Sequence, residues 1–284
     1  MWRRVRLVVA AAAMLAVGTM SANAESGRHR ETVRYGNVSL DVIAEGQGPL
    51  IVLLPSRGRD SEDYDEVAAG IAQAGFRVLR PQPRGIAGSS GPMDGITLHD
   101  LANDVAMVIE REGGGAPAVV VGHAFGNWVA RMTAVDHPKL VRGVIIAAAA
   151  AKKYPPELSA AVGRSGDPSL PKEERLKYLR YAFFAPGHDP TIWLAGWWPE
   201  ANASQDRAAK ATKQSEWWSA GSAPLFDLQA ELDPFKPPAT RNELKDEFGD
   251  RVSIAVIPGA SHALIPEQPH AVVEAIVGWV RKLP

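Results

Sequence analysis

The sequence predicts an α/β fold, a doubly wound and mostly parallel sheet that carries a helical cap insertion. Three observations predict it. Strand-type and helix-type patterns alternate from residue 50 to 147 and again from 225 to 280, the order expected of a parallel sheet with helices on both faces. Two of the strand runs, Leu50 to Leu54 and Ala118 to Val121, are continuously apolar, as strands buried on both faces are. Between Ala151 and Pro224 the alternation stops. That stretch has no clear strand, several Pro and Gly, and five of the eight tryptophans.

Each element follows from its own pattern. Thr32 to Tyr35 and Leu40 to Ala44 are short β-type runs separated by Gly36-Asn37, a hairpin signal. Pro55 ends the run from Leu50. Asp60 to Ala74 reads as a helix, with Val67, Ala68, Ile71 and Ala74 along one face and Gly75 as its cap. Arg77 to Arg80 is the next strand. His99 to Arg111 is amphipathic and stops at Gly113-Gly114-Gly115. Ala118 to Val121 leads without pause into Gly122-His123-Ala124-Phe125-Gly126 and a helix from Asn127 to Asp136. Val141 to Ala147, Leu225 to Ala230 and Val252 to Ile257 are further strands, and Ala271 to Val280 is a closing amphipathic helix. Residues 25–150 and 224–284 are thus assigned to the core, and 151–223 to a Trp-rich helical cap over the carboxyl ends of the strands.

Residues 1–24 read as a signal peptide. Met1 to Arg6 carries three arginines and no acid, Leu7 to Val17 is apolar but too short to span a bilayer, and Ala22-Asn23-Ala24 offers the small-x-small cleavage pattern. Cleavage after Ala24 leaves 260 residues with 28 basic against 32 acidic side chains, destined for the periplasm or the exterior, with general secretion favoured over twin-arginine export. No stable membrane insertion is expected after cleavage. The near-balance of 31 Lys+Arg against 32 Asp+Glu, with no basic block, gives no footprint for nucleic acid. With no cysteine, disulfides, thiolate metal sites, Fe–S clusters and a cysteine nucleophile are all excluded. There is no metal-ligand spacing, phosphate loop or dinucleotide fingerprint, so no cofactor is expected.

A strand running into Gly-x-x-x-Gly and then a helix is the arrangement of a nucleophile elbow, whose glycines permit a tight turn that lifts the central side chain above the sheet. Here that central residue is Ala124. Two partners follow in order. Asp233 stands just past the strand Leu225 to Ala230, placed as a histidine-orienting acid, and His262 stands on the loop after the last strand.

With these motifs the chain, from about residue 32 to 284, resembles the α/β-hydrolase superfamily. Arg84-Gly85-Ile86-Ala87-Gly88-Ser89 is similar to that family's Arg-Gly-x-Gly-x-Ser loop shifted by one residue, with Gln82 in place of the usual Asp. Pro55-Ser56-Arg57-Gly58 replaces the usual His-Gly after the first central strand. The resemblance implies backbone oxyanion donors at Phe125 and at Ser56 or Arg57. It also implies His262 as base and Asp233 as its orienter.

A methyl group cannot attack a carbonyl, so acyl-enzyme chemistry through residue 124 is excluded; losing a serine nucleophile typically costs about 10⁶ in kcat. Three readings remain open. Ser56 is a relocated nucleophile, or a turn residue beside Pro55. His262 with Asp233 acts directly as general base on water or an acidic substrate proton, as a hydrolase of a small or medium apolar ester or acyl compound, or else as a lyase or cofactor-free oxygenase. Or the pocket is a catalytically silent ligand-binding site. Trp193, Trp197 and Trp198 of the insertion are either cap core or lining for an apolar small-molecule ligand. His123 reads as a buried structural histidine. Arg57 and Arg59 sit where they could hold an anion, although loop arginines are ordinarily exposed.

Overall fold

The computed structural model describes residues 27–284, and the proposed export signal lies outside these described residues. β1 (His29–Tyr35) and β2 (Val38–Glu45) form the foreseen hairpin, with Tyr35 opposite Val38. β3 (Leu50–Leu54), α1 (Asp65–Gln73), β4 (Arg77–Pro81), α2 (Leu98–Glu112), β5 (Ala118–His123), α3 (Gly126–Asp136) and β6 (Val141–Ala147) follow. The insertion contributes α4 (Pro156–Ser165), α5 (Lys172–Ala182), α6 (Pro199–Ala211) and α7 (Gln214–Trp217). The chain returns through β7 (Leu225–Ala230), α8 (Glu243–Phe248), β8 (Val252–Ile257), α9 (Leu264–Glu267) and α10 (Pro269–Val280). The eight strands lie in the order β1-β2-β4-β3-β5-β6-β7-β8. β1, β2 and β4 pair antiparallel, and β4 through β8 are parallel.

Alternation along the central strands divides the core between two faces. Val52 and Val120 face α2 and α3, meeting Val105, Ile109, Val129 and Met132. Ile51 and Val119 face α1 and α10, meeting Val67, Ile71, Val272 and Ile276. Each such side chain contributes about 1.5–3 kcal/mol when taken fully out of water.

Two elements differ from the pattern reading. The helix expected from Asp60 opens as a 3₁₀ turn, Ser61–Tyr64, capped by the Asp60 carboxylate on the Glu62 N–H at 2.9 Å. This tighter turn carries the buried Tyr64 inward. α8 has six residues, too few for a helical period to show in the sequence.

The insertion also divides. Leu158, Leu176, Leu179, Phe183 and Trp193 make a small core of their own above the sheet, closed by Phe235 and Ala263. Ala208, Trp217 and Trp218 instead join the main core on the α2 and α3 face.

Strand order locates the site. From β3 the chain moves outward to β4, then crosses back to β5 on the other side of β3. The carboxyl ends of β3 and β5 are therefore a topological switch point, where ligands bind in open α/β sheets. Among the described residues no helix is long and apolar enough to cross a membrane, and no cluster of three or more His, Asp or Glu is placed to hold a metal ion.

Candidate active site

β5 ends in the turn that the glycines foretold. Ala124 lies in the left-handed region at φ +46°, a conformation costing an L-residue roughly 1–2 kcal/mol. Its backbone is pinned on both sides. The Ala124 N–H donates to Ala147 O at 2.9 Å, and Ala124 O accepts the Asn127 N–H at 3.1 Å as well as the Asn127 side-chain amide. The flanking glycines are required by close approach: a Cβ on Gly122 would lie 2.2 Å from Gly126 O, and one on Gly126 would lie 2.5 Å from Leu54 O.

Opposite the elbow, His262 is buried on the loop after β8. Its Nδ1–H donates to Asp233 Oδ2 at 2.9 Å, while Asp233 Oδ1 accepts the Phe235 N–H at 2.8 Å. The Phe235 ring stacks on the imidazole with centroids 4.1 Å apart. With Nδ1 committed as the donor, Nε2 keeps its lone pair, the form a general base needs. The loop has a second anchor that sequence reasoning missed. Glu267 accepts the Ser261 N–H and, from the cap, the Ala185 N–H, both at 2.6 Å. Burial raises its carboxyl above the ordinary range, against the pull of those two bonds.

His123 is fully buried and structural, and it ties three loops together. A carbonyl can only accept, so the 2.7 Å contact between His123 Nε2 and His262 O makes Nε2 the donor. Nδ1 must then accept from the Tyr64 hydroxyl at 2.7 Å, and that hydroxyl accepts the Ser56 N–H at 3.2 Å. Burial first, and the neighbouring His262 second, push the His123 value down to about 3. It is neutral wherever the protein works near neutrality. Nothing in the sequence around Tyr64 marked it as part of this chain.

The same bonds separate the two oxyanion options. The Ser56 N–H is taken by Tyr64, whereas the Arg57 and Phe125 amides have no partner among the described residues. Arg57 and Phe125 both line the cavity in front of His262. The Arg57 guanidinium does not face a ligand: Nη1 donates to Asp206 of α6 at 2.6 Å. Ser56 lines the cavity too, but no hydrogen bond joins its hydroxyl to His262.

Arg59 corrects the expectation of an exposed loop arginine. It is 1% exposed, paired to both oxygens of Asp63 at 2.6 and 2.7 Å and donating to Ala195 O at 2.5 Å. Its guanidinium lies 4.7 Å from the Trp193 ring centre and 4.8 Å from that of Trp197. Gly58 extends the strap, its N–H donating to Gln205 Oε1 at 2.7 Å and its carbonyl accepting the Trp198 N–H at 2.9 Å. None of the three tryptophans that the sequence offered for substrate binding lines the cavity in front of His262. Trp193 is buried in the cap core, Trp197 packs on Arg59, and Trp198 is at the surface with its indole N–H toward Asp60. The aromatic walls of the cavity are instead Phe125, Trp128, Tyr154, Phe183 and Phe235. The cavity measures about 50 Å³, and a water needs only roughly 10–15 Å³ of such space.

A family model described as the alpha/beta hydrolase family matches residues 51–275. A 2-(acetamidomethylene)succinate hydrolase from Mesorhizobium japonicum is 28% identical over 113 residues, 40% of this chain and 40% of that enzyme. The polyketide synthase ThaQ from Burkholderia thailandensis is 24% identical over 252 residues, 84% of this chain but 12% of the synthase. The matches therefore span less than half the length of either relative. A thermophilic esterase from Thermogutta terrifontis, solved with malate bound, superposes with a TM-score of 0.74 at 22% identity, over 90% of this chain and 98% of the esterase. Sheet order, elbow, histidine loop and family match agree: the chain belongs to the alpha/beta hydrolase family.

Proposed function

We propose that this protein hydrolyses a small or medium apolar ester, or a related activated acyl compound, by direct attack of water. One observation carries the reading. His262, held by Asp233, borders one cavity with Phe125 and Arg57, whose amides have no partner among the described residues, and the elbow residue there is Ala124, with a methyl side chain. That cavity, at about 50 Å³, is wide enough for a water. His262 Nε2 takes one proton from that water as its oxygen bonds to the acyl carbon. The carbonyl oxygen becomes an oxyanion between the Phe125 and Arg57 N–H groups. The tetrahedral species then collapses, and the leaving group departs with the proton returned by the imidazolium. No covalent acyl-enzyme forms.

General-base catalysis of this kind supplies about 10²–10⁴, which suits a substrate that is already activated. The test is turnover of activated esters by the purified protein beside His262→Ala and Ser56→Ala. His262→Ala is expected to lose about 10²–10⁴ in kcat, Ser56→Ala to keep its turnover, and a fluorophosphonate to leave the wild type unlabelled. Turnover that vanishes in Ser56→Ala, together with a label on Ser56, would replace the water by a relocated nucleophile. No turnover above background in the wild type would leave a catalytically silent binding pocket.

A further inference from the structure

Lys236 is buried, a short step along the chain from the acid that orients the imidazole. A buried ammonium is costly unless its charge is paired and its bonds are made. Its Nζ donates to Glu243 Oε1 of α8 at 2.7 Å and lies 3.6 Å from Asp227 Oδ2 of β7. Asp227 is buried on the face of β7 that Leu225 turns toward the α2 and α3 core. Gln229, next along that face, donates its amide to Asp227 Oδ2 at 2.8 Å and to Arg241 O at 2.7 Å. Burial raises the Asp227 carboxyl above the ordinary range, and the charge of Lys236 is the first influence pulling it back.

The turn that carries Lys236 also carries two of the contacts on His262. Asp233 accepts the Nδ1–H at 2.9 Å, and the Phe235 ring stacks on the imidazole. The Lys236 N–H closes this turn on Asp233 O at 3.1 Å, while its side chain runs to Asp227 and Glu243. It therefore fastens the turn to β7 and α8. Glu243 holds the start of the insertion as well. Its two oxygens accept the Lys152 N–H at 3.0 and 3.1 Å, and Phe235 O accepts the Ala151 N–H at 2.8 Å. Ala150 and Tyr154, on either side of that pair, line the cavity in front of His262.

We propose that Lys236 is a positioning residue: by fastening the acid turn to Asp227 and Glu243 it sets where Asp233 and Phe235 meet His262, and so holds the imidazole as its Nδ1–H tautomer. The effect on turnover rests on the hydrolase reading, whereas the effect on the imidazole does not. A bond from Asp233 and a ring stacked at 4.1 Å both depend on the turn staying in place. A displacement of about 1 Å at such a distance from the chemistry can cost about 10² in rate. A charge that only stabilised the core would change the melting temperature and leave the tautomer alone.

The experiment reads the imidazole itself. NMR of the histidine ring nitrogens is recorded at alkaline pH, with the His262 signals assigned by their loss in His262→Ala. The wild type is compared with Lys236→Met and with a double variant, Lys236→Met with Asp227→Asn. The double variant leaves no unpaired carboxylate on β7, so it serves where Lys236→Met melts early by circular dichroism. The wild type is expected to hold a single Nδ1–H tautomer, and both variants a mixture. On p-nitrophenyl acetate, kcat is expected to fall by about 10² in the variants with KM little changed, as when an interaction of the transition state is lost. A folded variant that keeps the single Nδ1–H tautomer, or a wild type that already holds a mixture, would overturn the role of Lys236 and leave the hydrolase standing. A wild type that turns over no ester, while the variants still mix the tautomers, would overturn the hydrolase and leave Lys236 in its role.

Discussion

On the histidine loop, each contact fixes either the imidazole or the backbone that carries it. Asp233 fixes Nδ1, Phe235 covers one ring face, His123 holds the backbone carbonyl and Glu267 holds the neighbouring N–H. The elbow is held with the same density of contacts, through Ala147, Asn127 and two close-packed glycines, yet it presents a methyl group. The comparison separates two jobs that a nucleophile elbow usually does together. One is to lift a side chain above the sheet. The other is to turn the next amide outward, and here the Phe125 N–H, following the left-handed Ala124, has no partner among the described residues, and Phe125 lines the cavity.

Ala124→Ser tests this comparison with the largest expected effect. If the elbow is aligned with His262, the hydroxyl restores a nucleophile whose loss typically costs about 10⁶, and kcat on activated esters should rise by about 10³ or more. A fluorophosphonate should then label residue 124, as mass spectrometry of the peptide would show. A variant neither faster nor labelled would mean that the two regions are not in register.

The next effect sharpens the role of His123. Its folded-state value of about 3 lies below the ordinary 6.5. Between those values the unfolded chain binds a proton that the folded chain refuses. Its stabilising contribution is therefore complete above pH 6.5 and shrinks as pH falls toward 3, by about 1.4 kcal/mol per unit. Denaturant melts at pH 7 and 4.5 should show the wild type losing about 2–3 kcal/mol more than His123→Gln. Equal losses would mean that His123 is already charged in the fold.

The smallest effect belongs to Ala124→Gly. Glycine adopts positive φ without penalty, so stability should change by no more than about 1 kcal/mol, and turnover should persist. A large loss of turnover would give the methyl a packing role that the water mechanism does not assign to it.

Most of the frame was legible because it is written locally. β3, β6, β7 and β8 keep the bounds that their apolar runs set, and Asp233 and His262 were placed by standing just beyond strand ends. The elbow was legible because glycine spacing and strand context coincide in one short segment. What supports the site was not, since those contacts join residues far apart in the chain. Tyr64 reaches His123 across 59 positions and Glu267 reaches Ala185 across 82. The tryptophans misled for a related reason: residue type shows that a large ring must be buried, but not which side it faces. Trp193 and Trp197 face Arg59, a partner that no period in either segment announces.

The Arg59 strap also bears on how a ligand reaches His262. The loop that presents the Arg57 amide is fastened to the cap by a buried guanidinium between two indoles and by both backbone groups of Gly58. Swinging that part of the cap away would expose a charge now held at 1% accessibility and shift the Arg57 amide, the proposed oxyanion donor. Tyr154, Ser159 and Val162, at the start of the insertion, line the same cavity as Arg57 and are half-buried. The insertion thus touches the cavity twice over: its later part fastens the loop that carries Arg57, and its first residues form part of the cavity wall.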